Sequence, residues 1–265
     1  MKNFTCIFLF VVSAGTVFSQ STNDFSKYYD KYGVKGSFLL YDLNKNVYIY
    51  YDSARCNTQF IPASTFKIFN SLVSLETGAV ADEDEVIKWD GIKKNIKEWN
   101  RDHNMRSAIK YSVVWFYQEL ARRVGGEQMQ HYLDAVGYGN KDTSGGIDRF
   151  WLDGGLRISQ FEQVEFLKKL YNSSLPFSER SMNIVKDIML NEDTLGYKLR
   201  AKTGGANIDK TVIGWWVGWV ESATGGDSNI YFFATNIEGE DITAEFLAAR
   251  KEITKKILKE LSILP

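Results

Sequence analysis

Thr211 to Glu221 reads TVIGWWVGWVE, and beyond the turn-rich SATGGDS, Asn229 to Ile237 reads NIYFFATNI. Neither run alternates apolar with polar residues, as a strand with one wet face does. Both are apolar on both faces, the pattern of central strands covered on each side. Such a sheet needs helices above and below it. The last segment, Asp241 to Leu264, has helical periodicity and ends at Pro265, so it supplies one cover. Towards the other end, Gly36 to Asp52 (GSFLLYDLNKNVYIYYD) is two β-rich runs joined by Asn44-Lys45-Asn46, which reads as a hairpin. In between the patterns are mostly helical. SVVWFYQELARRVG (Ser112 to Gly125), EQMQHYLDAVG (Glu127 to Gly137) and SQFEQVEFLKKLYNSS (Ser159 to Ser174) each stop at glycine or polar turn residues. The predicted class is α/β in the broad sense and α+β in detail: an antiparallel sheet built from both termini, flanked by helices, with a mostly helical insert packed against it.

Met1 to Ser19 combines Lys2 with the apolar run FTCIFLFVVSAGTVFS, and Val17 and Ser19 are small residues before Gln20. That pattern predicts a secretory signal peptide over residues 1–19 and a mature chain of 20–265. With only three prolines and no repeat or low-complexity linker, the mature chain reads as one domain with a sizeable core. No second apolar stretch is long enough to span a membrane. The net charge of −1 exerts no long-range pull on nucleic acid or anionic lipid, so a pocket rather than a surface field selects the substrate. Of two cysteines, Cys6 departs with the leader and Cys56 has no partner, so the exported chain is held by its core. His103 and His131 are the only histidines, and neither sits in a zinc-binding pattern; no metal is expected.

The chemistry-bearing segments are individually ambiguous. PASTFKIFNSLVSLETG (Pro62 to Gly78) puts Ser64 and Lys67 one helical turn apart, a spacing suited to a serine nucleophile beside a lysine base. It reads equally as a capped helix, with Ser64 as the N-cap, Gly78 as the stop, and Ser64, Lys67, Ser71 and Ser74 as a wet stripe. Lys67 sits awkwardly in a first turn that favours anions. Ser107-Ala-Ile-Lys110 repeats the SxxK spacing by chance. Lys202-Thr203-Gly204 falls just before the Trp-rich strand, where a positive charge, a hydroxyl and small residues could line a sheet edge, or merely turn the chain. Ser112-Val113-Val114 opens a helical segment, as a proton relay or a cap. Tyr138-Gly139-Asn140 and Phe150-Trp151-Leu152-Asp153-Gly154 complete the set, with Trp151 an indole donor or plain core.

Taken in order, SxxK, SxV, YGN, WxxG and KTG after a leader resemble the class D (oxacillinase-type) serine β-lactamases, over nearly the whole mature chain. GGIDRFWLDGGLRIS (Gly145 to Ser159), the WWVGWVE strand and Arg250-Lys251 on the final helix belong to the resemblance. It implies the β-lactamase/penicillin-binding-protein transpeptidase-like fold and hydrolysis of β-lactams through a serine acyl-enzyme, conferring antibiotic resistance from the periplasm. By similarity, Ser64 is the nucleophile and Lys67, N-carboxylated by carbon dioxide, the general base. Val114, Trp151 and Leu152 line the lysine's pocket. Ser112 and Lys202 relay a proton to the ring nitrogen. The backbone N–H groups of Ser64 and Gly205 form the oxyanion hole, and Thr203, Gly204 and Arg250 bind substrate. No organic cofactor is implied, and homodimerisation stays open.

Gly205 departs from relatives that often carry a side chain there, and Ala206 to Lys210 is expected to shape substrate choice. No GxSxG elbow occurs, and Glu162 and Glu165 look like exposed positions of a periodic helix rather than a general base. A penicillin-binding D,D-peptidase and a β-lactam sensor domain share the same serine and lysine elements, and remain the alternatives.

Overall fold

The computed structural model describes residues 20–208, 210–223 and 228–265; the expected signal peptide and most of SATGGDS lie outside them. In chain order come β1 (Gln20–Thr22), α1 (Ser26–Asp30), β2 (Lys35–Asp42), β3 (Val47–Tyr51) and α2 (Ser53–Asn57). A 3₁₀ turn (Ala63–Phe66) runs into α3 (Lys67–Glu76). The insert follows as α4 (Met105–Lys110), α5 (Val114–Val124), α6 (Gly126–Val136), α7 (Gln160–Tyr171) and α8 (Glu179–Ile188). β4 (Leu190–Asp193), β5 (Tyr197–Ile208), β6 (Thr211–Ser222), β7 (Asn229–Gly239) and α9 (Ala244–Glu260) close the chain.

The strands form one sheet in the order β1-β3-β2-β7-β6-β5-β4. The hairpin is β2 with β3, and the two runs apolar on both faces are β6 and β7, at the sheet's centre. One departure from the all-antiparallel expectation is β1, which lies parallel to β3. β1 is an edge strand whose chain leaves through α1 before returning in β2, so no tight turn dictates its direction. Lys202-Thr203-Gly204 does fall just before the Trp-rich strand, and of its two readings the turn is the one set aside, because the three residues lie inside the strand β5.

Alternation along β6 divides the core. Trp215, Val217 and Trp219 face the insert, where they join Leu72, Leu120 and Leu167. Val212, Trp216 and Val220 face the other way, against Ile253 and Ile257 of α9 and Phe25 beside α1. α3 is the axle of the insert: every residue from Lys67 to Leu75 is buried. Its serines are therefore not a wet stripe. Ser71 donates to the Lys67 carbonyl (2.8 Å) and meets the Tyr117 hydroxyl (3.0 Å), while Ser74 donates to Asn70 Oδ1 (3.0 Å). A helix packed on all sides leaves its polar residues no water, so each bonds within the protein.

Gly218 in the WWVGWVE run lies where β5 and β6 come closest. A Cβ there would collide with the Arg200 carbonyl and come within 2.7 Å of the Ala201 Cα. Gly218→Val is expected to destabilise the fold by about 3 kcal/mol, read as a lower urea midpoint, because backbone and not a flexible side chain occupies the space.

Candidate active site

The nucleophile candidate is built by the 3₁₀ turn. Ala63 has φ 49°, a left-handed conformation that a non-glycine residue adopts at a cost of about 1 kcal/mol. Surrounding bonds hold it there: Trp215 Nε1 donates to the Ile61 carbonyl (2.9 Å), Thr65 Oγ1 to the Pro62 carbonyl (2.8 Å) and Gln163 Nε2 to Thr65 Oγ1 (2.8 Å). Ser64 is therefore not an N-cap. The cap position of α3 is Phe66, without a side-chain cap bond, and Ser64 stays half-buried with its hydroxyl turned to Lys67. Gly78 does end the helix, at φ 70°.

Lys67 Nζ lies 2.7 Å from Ser64 Oγ and 5.4 Å from the centroid of the Tyr117 ring. The side chain is fully buried with no acidic neighbour acting on it. Burial alone pulls the amine from the ordinary 10.5 down to about 7. Trp151 stacks on Phe66, the residue before Lys67, with ring centroids 5.1 Å apart. Its buried indole N–H has no hydrogen-bond partner among the described residues, an unusual state for such a donor. Half-buried Leu152 is its neighbour, and Val114 opens α5 two residues past Ser112.

Ser112 caps no helix; α5 begins from Val113 without a side-chain cap. At φ 55° it is another left-handed non-glycine residue, and its hydroxyl accepts from Lys202 Nζ (2.9 Å). Lys202 Nζ also donates to the Thr203 carbonyl (2.9 Å). Burial holds this amine well below its usual value, and nearby Lys67, Arg250 and Lys251 add to the effect. Arg250 of α9 donates to the Gly204 carbonyl, leaves its buried Nε without a partner among the described residues, and is lowered by burial to about 10. Three basic side chains from three elements thus gather about Ser64, Ser112 and Gly204, and no carboxylate offsets the burial of any of them.

β5 supplies an open edge beside them. The Ala201 N–H donates to the Met189 carbonyl (3.0 Å), away from β6. Because N–H groups alternate sides along an unbroken antiparallel register, those of Thr203 and Gly205 also point away from β6, beyond the end of short β4. Gly204 packs against the 3₁₀ turn: a Cβ there would lie 2.9 Å from the Pro62 carbonyl and 3.1 Å from Thr65 Cγ2. At Gly205 a Cβ would come within 3.2 Å of Arg250 Nη1, so the missing side chain leaves room for the guanidinium over the strand.

A family model described as the penicillin binding protein transpeptidase domain matches residues 15–259. Beta-lactamase OXA-48 of Klebsiella pneumoniae is 47% identical over 246 residues, 93% of this chain and 91% of that one. The chain belongs to the class D β-lactamases. A class D β-lactamase from Sebaldella termitidis superposes with a TM-score of 0.88 at 38% identity, covering 94% of this chain and 100% of that one. The C-terminal domain of the Bacillus licheniformis BlaR penicillin receptor superposes at 0.87 with 36% identity, over 94% and 98% of the two chains.

Other segments of this class D enzyme are structural. The second SxxK, Ser107 to Lys110, is a capping box with Asn104, and His103 is locked between Ser107 Oγ (2.9 Å) and the Glu98 carbonyl (2.8 Å). Glu162 is half-buried, not exposed, because it closes the capping box of α7 with Ser159. Sequence reasoning passed over Tyr117, whose ring walls the Lys67 amine; nothing in its helical spacing separates it from ordinary core.

The depressed Lys67 amine makes a stability prediction. Below about 7 the lysine is protonated folded or unfolded, and the full cost of burying the charge is felt; above it the folded form sheds the proton first and the cost fades towards 10.5. In carbon-dioxide-depleted buffer, Lys67→Met is expected to raise the unfolding free energy measured by urea titration at pH 6 by several kcal/mol, a margin shrinking to near zero by about pH 10.

Proposed function

We propose that this chain hydrolyses β-lactam antibiotics through an acyl-enzyme on Ser64, and so confers resistance on its host after export to the periplasm. The observation that carries the reading is a buried, uncompensated Lys67 amine 2.7 Å from the Ser64 hydroxyl. A serine is a weak nucleophile until a base removes its proton, and an amine lowered to about 7 can do so near neutrality. Lys67 accepts the proton as Ser64 attacks the lactam carbonyl. The developing oxyanion lies between the Ser64 N–H and the outward-pointing Gly205 N–H, donors each worth about 3 kcal/mol in such sites. The lactam C–N bond breaks as Ser112 gives its proton to the ring nitrogen, and Lys202, 2.9 Å away, replenishes it. Thr203 and Arg250 hold the substrate carboxylate, which supplies the anion that the cationic cluster lacks.

Carboxylation by carbon dioxide fits the residues present. The reaction needs a neutral amine, which burial provides, and an anionic product needs a donor, which the partnerless Trp151 indole provides. Val114 and Leu152 keep water from the group. When present, the carbamate would supply an anionic base that stays unprotonated near neutrality, where the amine is about half protonated. Held at Lys67, such a base would be placed to draw a proton from the water that releases the acyl group.

The structural likeness to the BlaR receptor domain supports a second reading, a sensor in which the acyl group persists. Turnover separates the two. The chain is expected to convert many equivalents of a chromogenic cephalosporin, to lose activity as pH falls below about 7, and to recover it with bicarbonate. Lys67→Ala should lower kcat by about a thousandfold or more. One stoichiometric burst without turnover would assign the sensor reading instead.

A further inference from the structure

Lys202 and Thr203 form one wall of a cavity of about 510 Å³ that extends past them on the β4 side of the open edge, to residues that acyl transfer does not use. Its floor is apolar, from Ile109, Ile188 and Ala201, and its walls are charged. Arg106 is neutralised by Glu83 (2.6 Å) and Asp187 (2.5 Å), which also lines the cavity. Lys110 and Lys251 have no ion-pair partner among the described residues. Lys110 is exposed and rests near the Tyr111 ring, while Lys251 stands 6.0 Å from the centroid of Trp216. Glu192, the acid that acts on Lys251, is already engaged by Lys255 (2.6 Å) and the Tyr197 hydroxyl (2.6 Å).

The direction of the substrate follows from the bonds it must place. With the carbonyl carbon at Ser64, the ring nitrogen at Ser112 and the carboxylate at Thr203, the acylamino group extends one way from Ser64. The substituent on the fused six-membered ring of a cephalosporin, next to the carboxylate, extends the other way, towards Ala201. We infer that this cavity is a subsite for a negatively charged, flat substituent at that ring position, with its ring on the apolar floor and its charge between Lys110 and Lys251. The inference rests on the acyl-transfer reading above.

Two cephalosporins with the same acylamino group, one with an anionic and one with a neutral ring substituent, test it. The wild-type protein is expected to favour the anionic partner in kcat/KM by about three- to tenfold, chiefly through KM, with the preference fading at high salt. In Lys110→Gln/Lys251→Gln the ratio should fall to near one, while kcat/KM for a penicillin, which lacks the substituent, stays within about twofold. Lys110→Glu, a single change at an exposed site, should reverse the preference even if the double variant folds poorly. A ratio near one in the wild type, or a preference that survives these substitutions, overturns the subsite while penicillin turnover stands. Failure to turn over penicillin at all would instead overturn the acyl-transfer reading.

Discussion

A single amine buried without a counter-charge, that of Lys67, constrains the rest of this structure. Its fall from 10.5 to about 7 corresponds to a cost on the order of 5 kcal/mol when the charge is present. That is comparable to the whole net stability of an ordinary domain, so the packing around it has to be dense and rigid. The structure meets this by making α3 a fully buried axle, by stacking Phe66 on Trp151 and Phe69, and by satisfying Ser71 and Ser74 within the protein. Had a carboxylate been placed beside Lys67, the fold would be more stable and the amine fully charged. The missing partner is what lets burial hold the amine low, as the proposed base requires.

The second constraint is the docking of the 3₁₀ turn onto the β5 edge. Gly204 permits that approach, Trp215 anchors Ile61, and Ala63 accepts a left-handed backbone to turn Ser64 towards the amine. Ser112 is strained in the same sense, where it meets Lys202. Strain at two non-glycine residues, both beside reactive groups, is held in place by the packed sheet and insert. The sheet matters to the chemistry mainly as a rigid ruler: an unbroken β5–β6 register sets which N–H groups face the substrate.

How much of this was legible in the sequence differs by element, for physical reasons. β6 and β7 could be read because strands covered on both faces leave no polar alternation, and α5, α6 and α7 because their stop signals are local. β4 and the start of β5 are short and polar, with no apolar alternation to mark them even though they pair with their neighbours in the chain, so glycine-rich KTG could be read as a sheet edge or as a turn. Ser71 and Ser74 looked wet because burial around a central helix is a tertiary property. The order of SxxK, SxV and KTG marked the candidate residues, but neither the distances among them nor the orphaned Trp151 donor can be read from spacing. The direction in which β5 presents its N–H groups is likewise visible only once β4 is placed.

In the proposed function, burial keeps the Lys67 amine neutral enough to take up carbon dioxide and Trp151 receives the resulting anion. Carbon NMR of the protein in isotopically labelled bicarbonate tests this directly. One carbamate resonance is expected at mildly alkaline pH, lost reversibly on acidification, absent in Lys67→Arg and weakened in Trp151→Phe. Full turnover with no such resonance, or a resonance that persists in Lys67→Arg, would contradict it.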